Sequence, residues 1–192
     1  MSNEEGFYEE VLIAGFGGQG IILAGKLLAQ TAMYCGNEVT YMPAYGAEVR
    51  GGTSNCGVII SDNPIACPVI NMPDSLIIMN KASLVKFTPR LKEDGLLVMN
   101  SSLIDDTSED LPKSIRVVGV PADDLAAELG NPKIANMVVL GAYLQKRQIL
   151  SIDDAVKCLP KVLAKRHHHM LEVNTKALYR GAEFATRYTV NH

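Results

Sequence analysis

Apolar positions in this chain fall into short unbroken runs over the first two thirds and into helical periodicity over the last third. Val11-Leu12-Ile13-Ala14 is followed at once by glycines, which predicts a buried strand ending in a tight turn. From Ile21 to about Tyr34 apolar and polar residues alternate at helical spacing, with Gly36 placed as a C-terminal stop. Val39-Thr40-Tyr41 is β-branched and aromatic and stops at Pro43, so it predicts a second strand and a right-handed, parallel βαβ unit. Cys56 to Ile60 and Ile65 to Cys67 flank Ser61-Asp62-Asn63-Pro64, whose turn-forming residues predict two short strands folded back on one another. Further strands are expected at Leu76–Met79, Leu96–Met99 and Ile115–Val118, with a helix from Lys81 to Lys92 despite Pro89 near its end. After Pro121 the pattern turns helical, over Asp124–Leu129, Ile134–Leu144, Ile152–Leu163 and Leu171–Arg187. The expectation is an α/β chain of three-layer, Rossmann-like form: a mostly parallel sheet, one antiparallel strand pair and a helical C-terminal region, in a single domain over 1–192.

A hydrophobic content of 47% over 192 residues is enough for one sizeable core. The 18 basic and 21 acidic residues leave a net charge of −3, which gives no global electrostatic reason to expect nucleic-acid binding. The Met-Ser-Asn-Glu-Glu start lacks the features of a signal peptide, and no apolar run approaches the roughly 18 residues of a membrane span, so no membrane contact and a cytoplasmic location are expected. Cys35, Cys56, Cys67 and Cys158 are scattered with no C-x-x-C pair; they are expected to be reduced, buried thiols rather than metal ligands.

Gly15-Phe16-Gly17-Gly18-Gln19-Gly20 fits G-x-G-x-x-G between a predicted strand and a predicted helix. Small residues allow a sharp turn, and the helix N-terminus turns free N–H groups toward an anion. A dinucleotide site would also place an acidic residue at the end of the second strand, where this sequence has Tyr41-Met42-Pro43; Glu38 lies before that strand. Three readings remain at this point: glycines serving close helix–strand packing, a dinucleotide site, and an anionic or polar ligand at the helix start.

The segment Tyr45-Gly46-Ala47-Glu48-Val49-Arg50-Gly51-Gly52-Thr53-Ser54-Asn55 leaves the second strand at the carboxyl edge, where open α/β sheets bind ligands. Arg50 has the fork geometry for a carboxylate or phosphate, and Glu48 can orient it. The alternative is an internal Glu48–Arg50 ion pair stiffening a surface loop. No Ser–His–Asp or Cys–His nucleophile pattern is evident, so no catalytic residue is assigned. His167-His168-His169 reads as a polar helix start or an interface patch, because adjacent helical residues point in different directions and do not grip one ion together.

Taken together, the two glycine-rich segments resemble the gamma subunit of 2-oxoacid:ferredoxin oxidoreductases, equivalent to one domain of the fused pyruvate enzymes. Gly15 to Gly20 with Ala24 and Leu28 is similar to the family's opening, and Tyr45 to Cys56 to its Y-G-x-E-x-R-G-G segment. A third match is Ala126, Leu129-Gly130-Asn131 and Ala135 to Ala142. Ala47 stands where a proline is frequent, and the chain beyond Lys165 carries no family motif.

The resemblance implies oxidative decarboxylation of a 2-oxoacid with coenzyme A to an acyl-CoA and carbon dioxide, with electrons passed to ferredoxin. It implies thiamine diphosphate, Mg2+ and iron–sulfur clusters on other subunits, since this chain has neither a G-D-G diphosphate motif nor clustered cysteines. The implied partners are alpha and beta subunits and a ferredoxin-like subunit or ferredoxin. The chain's own share would be to complete the complex and help position coenzyme A, through Gly15, Gly17, Gly18, Gln19, Gly20, Tyr45, Glu48, Arg50, Gly51, Gly52, Thr53, Ser54, Asn55 and Asn136. The wording of the loops leans to 2-oxoglutarate; an indolepyruvate or branched-chain 2-oxoacid enzyme, or a free-standing dinucleotide-binding oxidoreductase, is the alternative.

Overall fold

In the computed structural model, residues 6–44, 53–105 and 111–187 are described. The first apolar run lies within strand β1 (Tyr8–Phe16), whose Val11, Leu12, Ile13 and Ala14 are all buried. A strand buried on both faces is continuously apolar, and β1 occupies such a central place. The sheet has six strands in the order β2-β3-β1-β4-β5-β6, where β2 is Glu38–Pro43, β3 Thr53–Ser61, β4 Ser75–Ile78, β5 Leu96–Asn100 and β6 Arg116–Val120. Strands β1, β4, β5 and β6 run parallel, while β3 is antiparallel to both of its neighbours, β1 and β2.

Alternation along the strands feeds two cores. Val11 and Ile13 pack with helices α1 (Ile21–Tyr34), α3 (Ala122–Glu128), α4 (Ala135–Arg147), α5 (Ile152–Val162) and α6 (Leu171–Arg187). Leu12 and Ala14 face the other way, toward Leu84 and Phe87 of α2 (Lys81–Phe87) and toward Leu91 and Ile104. Helices on both faces of the sheet give the three expected layers.

Helices α4 and α6 cross at closest range through two glycines. A Cβ on Gly141 would lie 2.0 Å from the Leu178 carbonyl oxygen, and one on Gly181 would lie 1.8 Å from that of Val138. Glycine is required here because backbone meets backbone, not because of an unusual dihedral angle.

At the end of the sheet where β1 begins, the carboxylate of Glu9 is fully buried. It accepts hydrogen bonds from Ser75 Oγ at 2.7 Å, Tyr143 Oη at 3.3 Å and Arg147 Nε at 2.8 Å, and pairs also with Arg147 Nη2. Burial and the adjacent Glu9 charge hold the Tyr143 hydroxyl well above the usual phenol range, and hydrogen bonding to Glu9 raises the Arg147 guanidinium. Every polar group of the cluster has a partner, which is the condition under which a buried charge is tolerated.

Three expectations change. Cys56–Ile60 does not fold back on Ile65–Cys67; it is part of β3, which inserts between β1 and β2, so the two strands of the presumed βαβ unit are not neighbours. The turn residues end β3 instead, with Asn63 N–H on Ser61 Oγ at 3.0 Å and Asp62 N–H on the Phe7 carbonyl at 3.2 Å. The helix after Asn80 closes at Phe87 and tightens into a 3-10 turn over Thr88–Arg90, since Pro89 cannot continue the α-helical ladder. Cys56 and Cys158 are buried, but Cys35 and Cys67 are exposed.

Candidate functional site

The carboxyl end of β1 passes into the glycine turn, and the turn is built by a side chain. Gln19 Oε1 accepts from Phe16 N–H at 2.7 Å and from Asn80 Nδ2 at 3.0 Å, while Gln19 Nε2 donates to the Met79 carbonyl at 3.2 Å. Asn80 also caps α2 by accepting from Ser83 N–H at 2.8 Å. Gln19 therefore ties the ends of β1 and β4 and the start of α2 into one unit, and its amide is committed to that task.

Gly18 and Gly20 adopt positive φ of 92° and 74°, the left-handed region open to glycine at little cost. A Cβ at Gly15 would collide with Gln19, Ile21 and Met79, all within 2.9 Å. Gly20 is the N-cap of α1 and supplies no side-chain hydrogen bond, and the first turn of α1 holds no acidic residue. The helix thus presents its N–H groups without an internal anion.

Asn136, in the first turn of α4, donates from Nδ2 to the Gly20 carbonyl at 3.1 Å and is 4% exposed. Its amide braces the turn at Gly20, as Gln19 does at Phe16.

The register of β3 decides how the second segment meets this turn. Phe16 pairs with Thr53, Gly15 with Ser54 and Ala14 with Asn55, and Ala44 N–H donates to the Asn55 carbonyl at 2.9 Å. Residues 45–52, including Tyr45, Glu48, Arg50, Gly51 and Gly52, lie outside the described residues, but the flank at Thr53 is fixed beside the glycine turn and the flank at Ala44 one strand further out. Thr53 Oγ1 accepts from Lys86 Nζ of α2 at 3.3 Å, and Ser54 is buried.

A hollow of about 480 Å³ opens at this edge, lined by Phe16, Gly17 and Gly18 of the turn, by Ile22 and Lys26 of α1, and by Ser54. Lys26 was not singled out from the sequence; its place one turn beyond Ile22, on the helix that follows the glycines, was the available signal.

The other sequence candidates sit elsewhere. Glu38 begins β2 opposite Ser61, at the far end of β3 from Thr53, so it is remote from the turn. His167, His168 and His169 lie in a 3-10 turn, Lys165–Met170, that leads into α6, with ring nitrogens on the Leu163 and Arg166 carbonyls and on Arg166 Nε. Among the described residues no three His, Cys, Asp or Glu side chains gather as a metal site. Burial pushes the Cys56 thiol up to about 12, which removes it as a nucleophile near neutral pH. No described helix is long and apolar enough to cross a membrane.

The family described as pyruvate ferredoxin/flavodoxin oxidoreductase matches residues 10–184. A ketoisovalerate oxidoreductase subunit VorA of Methanothermobacter marburgensis is 33% identical over 92% of this chain, and the chain spans 36% of that protein's length. A 2-oxoglutarate synthase subunit KorC of Methanocaldococcus jannaschii is also 33% identical, over 92% of this chain and 94% of its own. Among solved structures, a keto/oxoacid ferredoxin oxidoreductase gamma subunit from Geobacter sulfurreducens PCA superposes with a TM-score of 0.80 at 31% identity, covering 94% of this chain and 99% of that one.

Proposed function

The chain belongs to the pyruvate ferredoxin/flavodoxin oxidoreductase family, and from that premise we propose that it is the gamma-type subunit of a multi-subunit 2-oxoacid:ferredoxin oxidoreductase that helps position coenzyme A. One observation carries the assignment of the site: β3 seats Thr53 against Phe16, so the glycine turn and both flanks of the 45–52 span share one edge of the sheet. Coenzyme A brings phosphates and a long polar arm, which suit an uncapped helix start, and the sequence offers Arg50 as a fork for a phosphate. Holding the thiol against a reacting centre on a neighbouring subunit acts through proximity.

On this reading the backbone at Gly17, Gly18 and Gly20 meets the ligand, Gln19 and Asn136 hold the turn in shape, and Arg50 pairs with an anion or with the neighbouring subunit. Thiamine diphosphate with Mg2+, which supplies the carbanion chemistry, and iron–sulfur clusters, which remove electrons singly, belong to alpha, beta and ferredoxin-like partners. The oxoacid we favour is 2-oxoglutarate, supported by the KorC relative along nearly its whole length. A branched-chain 2-oxoacid is the second reading, supported by the equally similar VorA. A free-standing dinucleotide enzyme is disfavoured because the one acidic residue of β2, Glu38, stands at the wrong end of that strand.

Reconstitution of the complex with Arg50→Ala tests the assignment. A Michaelis constant for coenzyme A raised roughly tenfold in an intact assembly is the expected result. An unchanged constant would leave the chain as scaffold, and 2-oxoacid turnover by the purified chain alone would overturn the subunit reading.

A further inference from the structure

The two faces of the sheet are covered unequally. Among the described residues, five α-helices pack on one face; on the other lies the seven-residue α2, and beyond it the cover over β3 is an extended segment. Tyr41 Oη donates to the Ile22 carbonyl of α1 at 3.0 Å and Cys56 lies against Gly25 of the same helix, so the adjacent Met42 and Gly57 point to the second face. Ile70 closes over Gly57 there: a Cβ on that glycine would lie 3.0 Å from Ile70 Cδ1. Arg90 holds the segment down, donating from Nε to the Asn71 carbonyl at 2.9 Å and from Nη2 to that of Ile70. From Pro64 to Pro73 this segment carries no charged residue, yet Ala66 to Val69, Asn71 and Met72 are exposed. Of the ten exposed large apolar side chains among the described residues, six belong to this layer: Tyr8, Phe16, Met42, Val69, Met72 and Val85. Scattered apolar residues are ordinary on a surface, but their concentration on one thinly covered face marks an interaction site.

We infer that this face, centred on Val69 and Met72, is where the neighbouring subunit docks, through an apolar and uncharged surface of its own. The inference rests on the subunit reading and adds to it the face used. The VorA relative indicates the kind of neighbour: this chain spans 36% of its length, so there the shared region is joined to a longer stretch of the same polypeptide. A tethered neighbour is held beside that region permanently, and permanent interfaces are apolar and depleted of charge at their centre. Where the neighbour is a separate chain, the same boundary has to be held by side chains alone. The cations nearest the segment are already engaged, Arg90 by the two carbonyls and Lys92 by Glu10 and Asp74, so the face offers burial rather than charge. Ile70 and Arg90 fix the segment before any partner arrives, which keeps the ordering cost of docking small.

The test co-expresses the full chain with the other subunits of the oxidoreductase and follows assembly by sedimentation velocity. Val69→Asp and Met72→Asp, at side chains 57% and 54% exposed, should fold as the wild type does and weaken assembly roughly tenfold or more. Met72→Leu should assemble normally. So should Met33→Asp, which places the same charge at an exposed position of α1, on the other side of the sheet. Hydrogen exchange on the wild type gives a readout that needs no variant: amides between Ile65 and Met72 should exchange more slowly in the complex than in the free chain. Full assembly by both Asp variants, equal loss with Met33→Asp, or unchanged exchange over that segment would overturn the inference. A dimer of the purified chain alone that Val69→Asp dissociates would overturn it too, because a second copy would then own the face. If the wild type assembles and the Asp variants assemble equally well, this face is excluded and the subunit reading stands. If the wild type joins no such complex, the subunit reading falls and takes the inference with it.

Discussion

The two ends of the sheet solve opposite problems with similar residues, and helix α4 touches both. At the end where β1 begins, Glu9 and Arg147 are opposite charges, and Ser75 and Tyr143 complete their hydrogen bonding. At the end where β1 closes, Lys26 is exposed with no carboxylate partner among the described residues, and α1 begins with no side-chain cap and no acidic residue in its first turn. Mutual satisfaction marks a structural site, whereas a helix start with neither a side-chain cap nor an acidic residue leaves its N–H donors for a group that arrives. Asn136 and Arg147, near opposite ends of α4, brace the glycine turn and the closed cluster respectively.

The contrast breaks most completely if α4 is displaced. Gly181→Ala should cost roughly 3–4 kcal/mol, read as a lower denaturation midpoint at unchanged slope, because the added methyl meets the Val138 carbonyl with no rotamer to escape to. A loss under about 1 kcal/mol would show that the two helices slide apart freely. Next in size, Arg147→Met should cost about 3 kcal/mol by leaving Glu9 buried without its cation. The Michaelis constant for coenzyme A of the reconstituted complex should be unchanged well below the melting temperature; a raised constant would mean that the two ends are not separable. Gln19→Ala should cost about 1–2 kcal/mol and also weaken binding, because it unties β1, β4 and α2 together. Smallest in stability, Gly18→Ala should cost about 1 kcal/mol from its positive φ, since nothing lies within 4 Å of the new methyl. A binding loss disproportionate to that small cost would sharpen the distinction between a turn needed for folding and one needed for a ligand.

Much of this fold was legible from local pattern. The run Val11 to Ala14 before the glycines, the stop at Gly36 and the periodicity from Leu171 to Arg187 each depend on residues close in sequence, and each gave its element. The place of β3 was not legible. Alternation identifies a strand and its faces, but which strand it joins is decided by contacts across the fold, such as Gly15 with Ser54. Asp62-Asn63-Pro64 signalled a turn correctly and a hairpin wrongly, since the same residues end a strand equally well. At the site, the glycines and the 45–55 segment stood out, and Ser54 and Asn136 were chosen from the resemblance. Lys26 escaped because a lone lysine on a helix ordinarily faces solvent, and only the packing of α1 against β3 brings it beside Ser54. The bracing role of Gln19 depends on Met79 and Asn80, some 60 residues away.

The bond between Ala44 and Asn55 has a consequence for how such a chain diversifies. With departure and return clamped on adjoining strands, the span between them can gain, lose or exchange residues without shifting any strand's register, since closing a longer loop adds only about 0.6 kcal/mol per doubling of length. Selectivity carried by that span can therefore drift while the framework that holds its two ends is inherited unchanged.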